Sequence, residues 1–179
     1  MREHAGENSS PYEIVTARVH ARLPVERVIA LPEGVESSEW IYAQLCRIVQ
    51  DTGIWLIYLR DECRAERESC AALLLERDVY LCPAHGDERQ CTAYEYATHA
   101  VDSAAQVLQT QRFPAVGVPQ KSMRLSGILC KQLARVYLHM RIHHAALFAE
   151  HEARSRVYAR FYALCGMYEL YPTEALPAP

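Results

Sequence analysis

His139, His143 and His144 fall within six residues of the stretch RVYLHMRIHHAAL. Imidazole nitrogen and thiolate sulfur are the donors zinc prefers, and a closed structural site takes four of them. Cys63 and Cys70 flank the charged loop RAERES. Two loop thiolates and two helix imidazoles would fill one tetrahedron and pin the loop to the helix. The six residues between the cysteines exceed the two to four usual in compact zinc loops. A rival set lies in CPAHGDERQC, where Cys82, His85 and Cys91 start with a spacing typical of metal loops.

A helix turns about 100° per residue, so His139 and His143 lie about 40° apart around the axis. His139 and His144 lie about 140° apart, which requires a distortion or a long reach. Local geometry therefore favours His143 as the partner of His139. The plainer alternatives are a polar strip at a helix end and two unpaired loop thiols.

The elements that must carry these residues read as mainly helical. Residues 1–30 are polar and mixed, and read as a partly ordered N-terminal arm. LPEGV is turn chemistry, after which Ser37 or Ser38 can cap a helix. Ile41, Leu45 and Ile48 form its stripe, and Thr52–Gly53 is expected to end it. IWLIYLRDEC is a short apolar run of undecided type, and ERDVYLC reads as a brief strand ending at Pro83. A second helix starts near Ala93, with Tyr96, Ala100, Ser103 or Ala104, and Leu108 on one face. RFPAVGVPQ is an extended connector. The longest helix is expected from about Gln120 to Glu150, with Leu125, Leu129, Leu133, Val136, Met140 and Leu147 as its stripe. A last helix covers about Glu152 to Gly166, with Gly166 as its C-cap. This pattern predicts a mainly α fold, a four-helix bundle core with an irregular zinc-pinned insert that leaves room for a short β-hairpin. Residues 31–172 form the domain and 173–179 a tail.

Composition narrows the function classes. The chain has 179 residues, half of them apolar, and a net charge of −3. That balance gives no reason to expect nucleic acid as a partner, and no apolar run approaches the roughly 20 residues of a membrane span. The N-terminus lacks the apolar stretch of a secretory signal, so a cytoplasmic protein is expected. Seven cysteines in a reducing compartment point to metal or free thiol rather than disulfide. Cys46, Cys130 and Cys165 fall on apolar helical segments and suit the core. There is no phosphate-binding glycine loop and no GxSxG elbow. HMRIHH lacks the glutamate of a HExxH hydrolase helix, and a filled tetrahedron leaves no place for a reactive water. The chain reads as a non-enzyme with a structural metal.

The stretches LPEGVESSEWIY, LRDEC, YLCPAHGDERQCTAYEYATHAVDSAA, RFP, RVYLHMRIHH and RFYALCGMYEL, in that order, resemble the Mob/phocein family of kinase-regulating adaptors. The resemblance runs from about Leu31 to Tyr171, and the LCPAH stretch is closer to the phocein branch. It implies zinc ligands at Cys63, Cys70, His139 and His144, against the local preference for His143. It also implies that Cys82 and Cys91 are kept without serving as ligands. This chain departs from the family in placing six residues rather than four between the first two cysteines. The family's phosphopeptide-binding positions fall on Lys131, Gln132 and Arg135, of which the middle one is not basic. Lys131 and Arg135 are otherwise an i, i+4 pair on a solvated face. The implied partners are a protein kinase, a striatin-like scaffold and a phosphorylated peptide. A second reading is direct activation of an AGC-type (NDR/LATS-like) kinase through its N-terminal segment, with Glu36, Glu39 and Asp51 as acidic candidates. A zinc hydrolase is the third.

Overall fold

The computed structural model describes residues 9–85, 90–110 and 120–179. Among these, seven α-helices and one two-stranded antiparallel sheet form a mainly α fold.

The lead-in to the domain carries two helices. Ser10 caps α1 (Pro11–His20) through a reciprocal capping box with Glu13, and Pro11 occupies the first turn, where its missing N–H costs nothing. Val15 is buried, and α1 packs on α3 (Ser37–Glu62). The short α2 (Val25–Ile29) follows. Its end is tied to α3 by two buried side chains that would otherwise lack partners: Trp40 Nε1 donates to the Ile29 carbonyl at 2.7 Å, and Gln44 Nε2 to that of Val28 at 2.7 Å. Residues that read as a polar arm thus supply part of the core.

α3 does not stop at Thr52–Gly53 but continues to Glu62. A mid-helix glycine costs about 1 kcal/mol, which burial beyond it outweighs. Trp55 and Leu59 are fully buried, and Trp55 packs edge-on against Tyr137 and Phe148. Full burial of one such side chain contributes about 1.5–3 kcal/mol. The apolar run of undecided type is therefore the second half of a helix, and it delivers Cys63 to its end.

The insert holds a hairpin, β1 (Leu73–Leu75) paired with β2 (Asp78–Tyr80), joined through Glu76 in the left-handed region. Leu73 is buried, and β1 lies against α5 (Gln120–His143). α4 (Ala93–Thr110) opens on a second capping box, between Thr92 and Glu95, and buries Tyr96, Ala100, Ala104 and Leu108 as expected. The proline-rich connector falls almost wholly on residues 111–119, outside the described residues.

The long helix expected to reach Glu150 is two helices, α5 and α6 (Ala145–Ser155), broken at His144. α7 (Val157–Met167) begins after Arg156, which sits at φ +49°. Gly166 lies inside α7 rather than capping it. α3, α4, α5 and α7 form the core, in which Ile48, Leu133, Tyr137, Phe161 and Leu164 are buried together. An ion pair between Asp51 and Arg160 is buried within it, with Arg47 also on Asp51 at 3.1 Å. The C-terminal residues are tied down as well: Tyr158 donates its hydroxyl to the Pro177 carbonyl and Arg141 donates to that of Ala178.

Candidate metal centre

Three chain segments meet at one point: the end of α3, the 3₁₀ turn of the insert and the end of α5. Cys63 closes α3, where its N–H donates to the Leu59 carbonyl at 2.7 Å. Cys70 closes a single 3₁₀ turn, Glu68–Cys70, with its N–H donating to Arg67 at 2.8 Å. Arg64 to Glu68 are exposed. The longer loop bulges into solvent while both sulfurs turn inward, so its extra length does not separate them. His139 lies in the last turns of α5, and His144 follows the helix end with φ −133° and ψ 43°. Leaving the helix there removes the 140° constraint and swings the imidazole back toward His139.

Cys63 Sγ lies 3.5 Å from His139 Nε2, and Cys70 Sγ lies 3.4 Å from His144 Nε2. All four donor atoms fall within 4.8 Å of one another, and all four residues are buried. Zinc bonds of about 2.0–2.3 Å imply donor–donor edges of roughly 3.3–3.8 Å in a tetrahedron. The residues present fit a divalent metal ion.

The surroundings orient the donors. His139 Nδ1 lies 3.3 Å from the Leu74 carbonyl. A carbonyl accepts only, so Nδ1 carries the proton and Nε2 keeps its lone pair for the cluster. His143 Nε2 reaches the same carbonyl at 3.2 Å and stands outside the four. One backbone oxygen of β1 therefore orients one imidazole of the cluster and occupies the neighbouring one. Burial pushes the His139 imidazole down to about 4, against the opposing pull of Leu74 and with the help of His143 and His144. His144 is lowered too, by burial and then by Arg67. Both rings are neutral at pH 7, the form that binds metal. Burial and the adjacent Cys70 raise the Cys63 thiol. A bound cation reverses that preference by stabilising thiolate.

Glu62 escaped the sequence reading, which placed no carboxylate beside the cluster. It lines a surface hollow with Arg67, His143 and His144, and its carboxylate pairs with Arg67 at 3.6 Å. Four protein donors nonetheless leave a tetrahedral ion no open position for water.

The rival set is not an alternative to this one. Cys82, His85 and Cys91 come together separately, joined by His99 of α4. His99 was missed because seven residues separate it from Cys91, and only the first turns of α4 return it to the loop.

Lys131, Gln132 and Arg135 of α5, the positions the resemblance implies for phosphopeptide binding, do not share one exposed face. Lys131 is exposed, and Gln132 is buried with its Oε1 unpaired among the described residues. Arg135 is half-buried, stacked 4.2 Å over the Tyr80 ring and donating to the Tyr96 hydroxyl at 3.1 Å. Of the acidic candidates, Glu36 and Glu39 are exposed, whereas Asp51 is enclosed by Arg47 and Arg160 and unavailable to a partner.

A model of the Mob1/phocein family matches residues 17–178. The chain belongs to the Mob1/phocein family. It is similar to the MOB kinase activator-like 4 protein of Drosophila melanogaster, 28% identical over 158 residues that cover 87% of this chain and 70% of that protein. It is similar too to the MOB-like protein phocein of Caenorhabditis elegans, 27% identical over 158 residues with the same coverage. Mob1/phocein proteins are kinase-associated regulators, and the matched span takes in both Cys/His clusters. No helix among the described residues is long and apolar enough to cross a membrane.

Proposed function

We propose that this chain is a non-catalytic, zinc-stabilised adaptor of the cytoplasm. It holds a protein kinase or a striatin-like scaffold and recognises phosphorylated peptide through Lys131 and Arg135. Membership of a family of kinase-associated regulators carries the reading. The closed Cys63, Cys70, His139 and His144 cluster supports its non-catalytic part, because a filled tetrahedron offers no reactive position. Zinc there supplies charge that holds two thiolates and two imidazoles together, joining α3, the insert and the α5–α6 junction. Seven cysteines without a disulfide suit a reducing compartment.

Phosphate recognition rests on Arg135 and Lys131, since Gln132 is buried. Arg135 is held by two tyrosines, so its guanidinium is oriented before a ligand arrives, which reduces the ordering cost of binding. An arginine fork makes charge-assisted bonds to phosphate. The test is calorimetric titration with a phosphothreonine peptide library and its unphosphorylated counterpart. Arg135→Ala should weaken phosphopeptide binding at least tenfold, and Lys131→Ala by less. Equal affinity for the two libraries would sink the phosphate reading without touching the adaptor one.

Direct activation of an AGC-type kinase through its N-terminal segment is the second reading. Exposed Glu36 and Glu39 favour it. Tight binding to an isolated basic kinase segment, with none to a striatin-like fragment, would promote it. A zinc hydrolase would need an open coordination position beside Glu62.

A further inference from the structure

We propose that Cys82, His85, Cys91 and His99 form a second metal centre, of the same two-sulfur, two-nitrogen type and selective for zinc. The four donor atoms fall within 4.8 Å of one another. His85 Nε2 lies 3.1 Å from Cys91 Sγ. Cys82 Sγ lies 3.3 Å and Cys91 Sγ 3.7 Å from His99 Nδ1. These are the donor–donor edges of a tetrahedral zinc, roughly 3.3–3.8 Å, to within a few tenths. The two rings stand edge to face with centroids 4.8 Å apart, so both can turn a nitrogen to one point. Both sulfurs are buried at 3% exposure and both imidazoles are half-buried.

The donors come from four places that need joining. Cys82 follows β2, His85 lies in the loop, Cys91 precedes the Thr92 cap of α4, and His99 sits two turns into that helix. An ion here would fasten the chain between hairpin and helix at both ends. With four protein ligands the site is structural. It also has a consequence for α5. Tyr80 stands two residues before Cys82, and Tyr96 lies between Cys91 and His99. These are the two rings that hold Arg135, so the second ion would steady the clamp on that guanidinium.

The centre does not depend on the first cluster, and metal counting separates the two. The full chain is incubated with excess zinc, cleared of loose metal by gel filtration, and its zinc is measured by mass spectrometry against protein. The expected counts are two per chain for the wild type and one for His99→Ala. His85→Ala, at a half-buried loop position, repeats the test should His99→Ala fail to fold. One zinc in the wild type, lost in Cys70→Ser and kept in His99→Ala and His85→Ala, overturns the second centre and leaves the first. One zinc lost in His99→Ala but kept in Cys70→Ser does the reverse. Two zincs retained by both histidine variants also overturn the proposal.

Discussion

Cys63 and Cys70 meet histidines 76 and 74 residues away along the chain, whereas Cys82, His85, Cys91 and His99 meet across 6, 8 and 17 residues. The donors are the same, and the first set is wholly buried while the second is half open. Closing the longer loops costs the unfolded chain roughly 1–2 kcal/mol more entropy, by the logarithmic dependence on loop length. A link that fixes them removes correspondingly more freedom. The first cluster joins elements that define the bundle, whereas the second organises a loop and one helix start. Identical chemistry should therefore have global consequences in one place and local ones in the other.

That contrast can be broken most severely at the first cluster. Cys70→Ser or His139→Ala should remove its metal and most of the roughly 5–15 kcal/mol that keeps a domain folded, read as loss of the cooperative melt by circular dichroism. A variant that keeps both metal and melting temperature would show that the site is wrongly assigned. Asp51→Ala provides a metal-free standard of comparable reach. It strands the Arg160 guanidinium, whose Nε and Nη1 already lack partners among the described residues, and should cost about 3–5 kcal/mol in urea unfolding. His99→Ala should cost less, about 2–4 kcal/mol, the range of a short cross-link, with hydrogen exchange rising around β2 and the start of α4 only. A collapse as deep as that of His139→Ala would erase the distinction between the clusters. The smallest effect belongs to His143→Ala, which loses one hydrogen bond to the Leu74 carbonyl, about 1 kcal/mol, and should keep all its metal.

The last variant bears on what the sequence could disclose. Spacing on an ideal helix favours His143 over His144, and the reasoning is sound for a helix that continues. Nothing in RIHHAAL marks a break, with neither proline nor glycine to signal it. The break depends on how α5 and α6 pack against the rest, which local pattern does not encode. The same holds for α3, where Thr52–Gly53 reads as a stop until Trp55 finds Tyr137 and Phe148. By contrast the start of α4 near Ala93 and its stripe from Tyr96 to Leu108 were legible, because its apolar face is regular, while the Thr92–Glu95 box that caps it was not read. α1 was legible in principle through Ser10, Pro11 and Glu13, but with one fully buried residue, Val15, its stripe is too thin to announce a helix. The resemblance pointed to His144 where local geometry did not, and it set aside Cys82 and Cys91, which the fold brings together with two histidines.

Closed, four-donor coordination is tested most directly by X-ray absorption at the zinc edge, on protein purified without added metal. Two sulfurs and two nitrogens per zinc are expected, and the average is the same whether one cluster or both are filled. An oxygen in the first shell, a single sulfur, or no zinc at all would contradict it, and an oxygen would return attention to Glu62 and the enzyme reading.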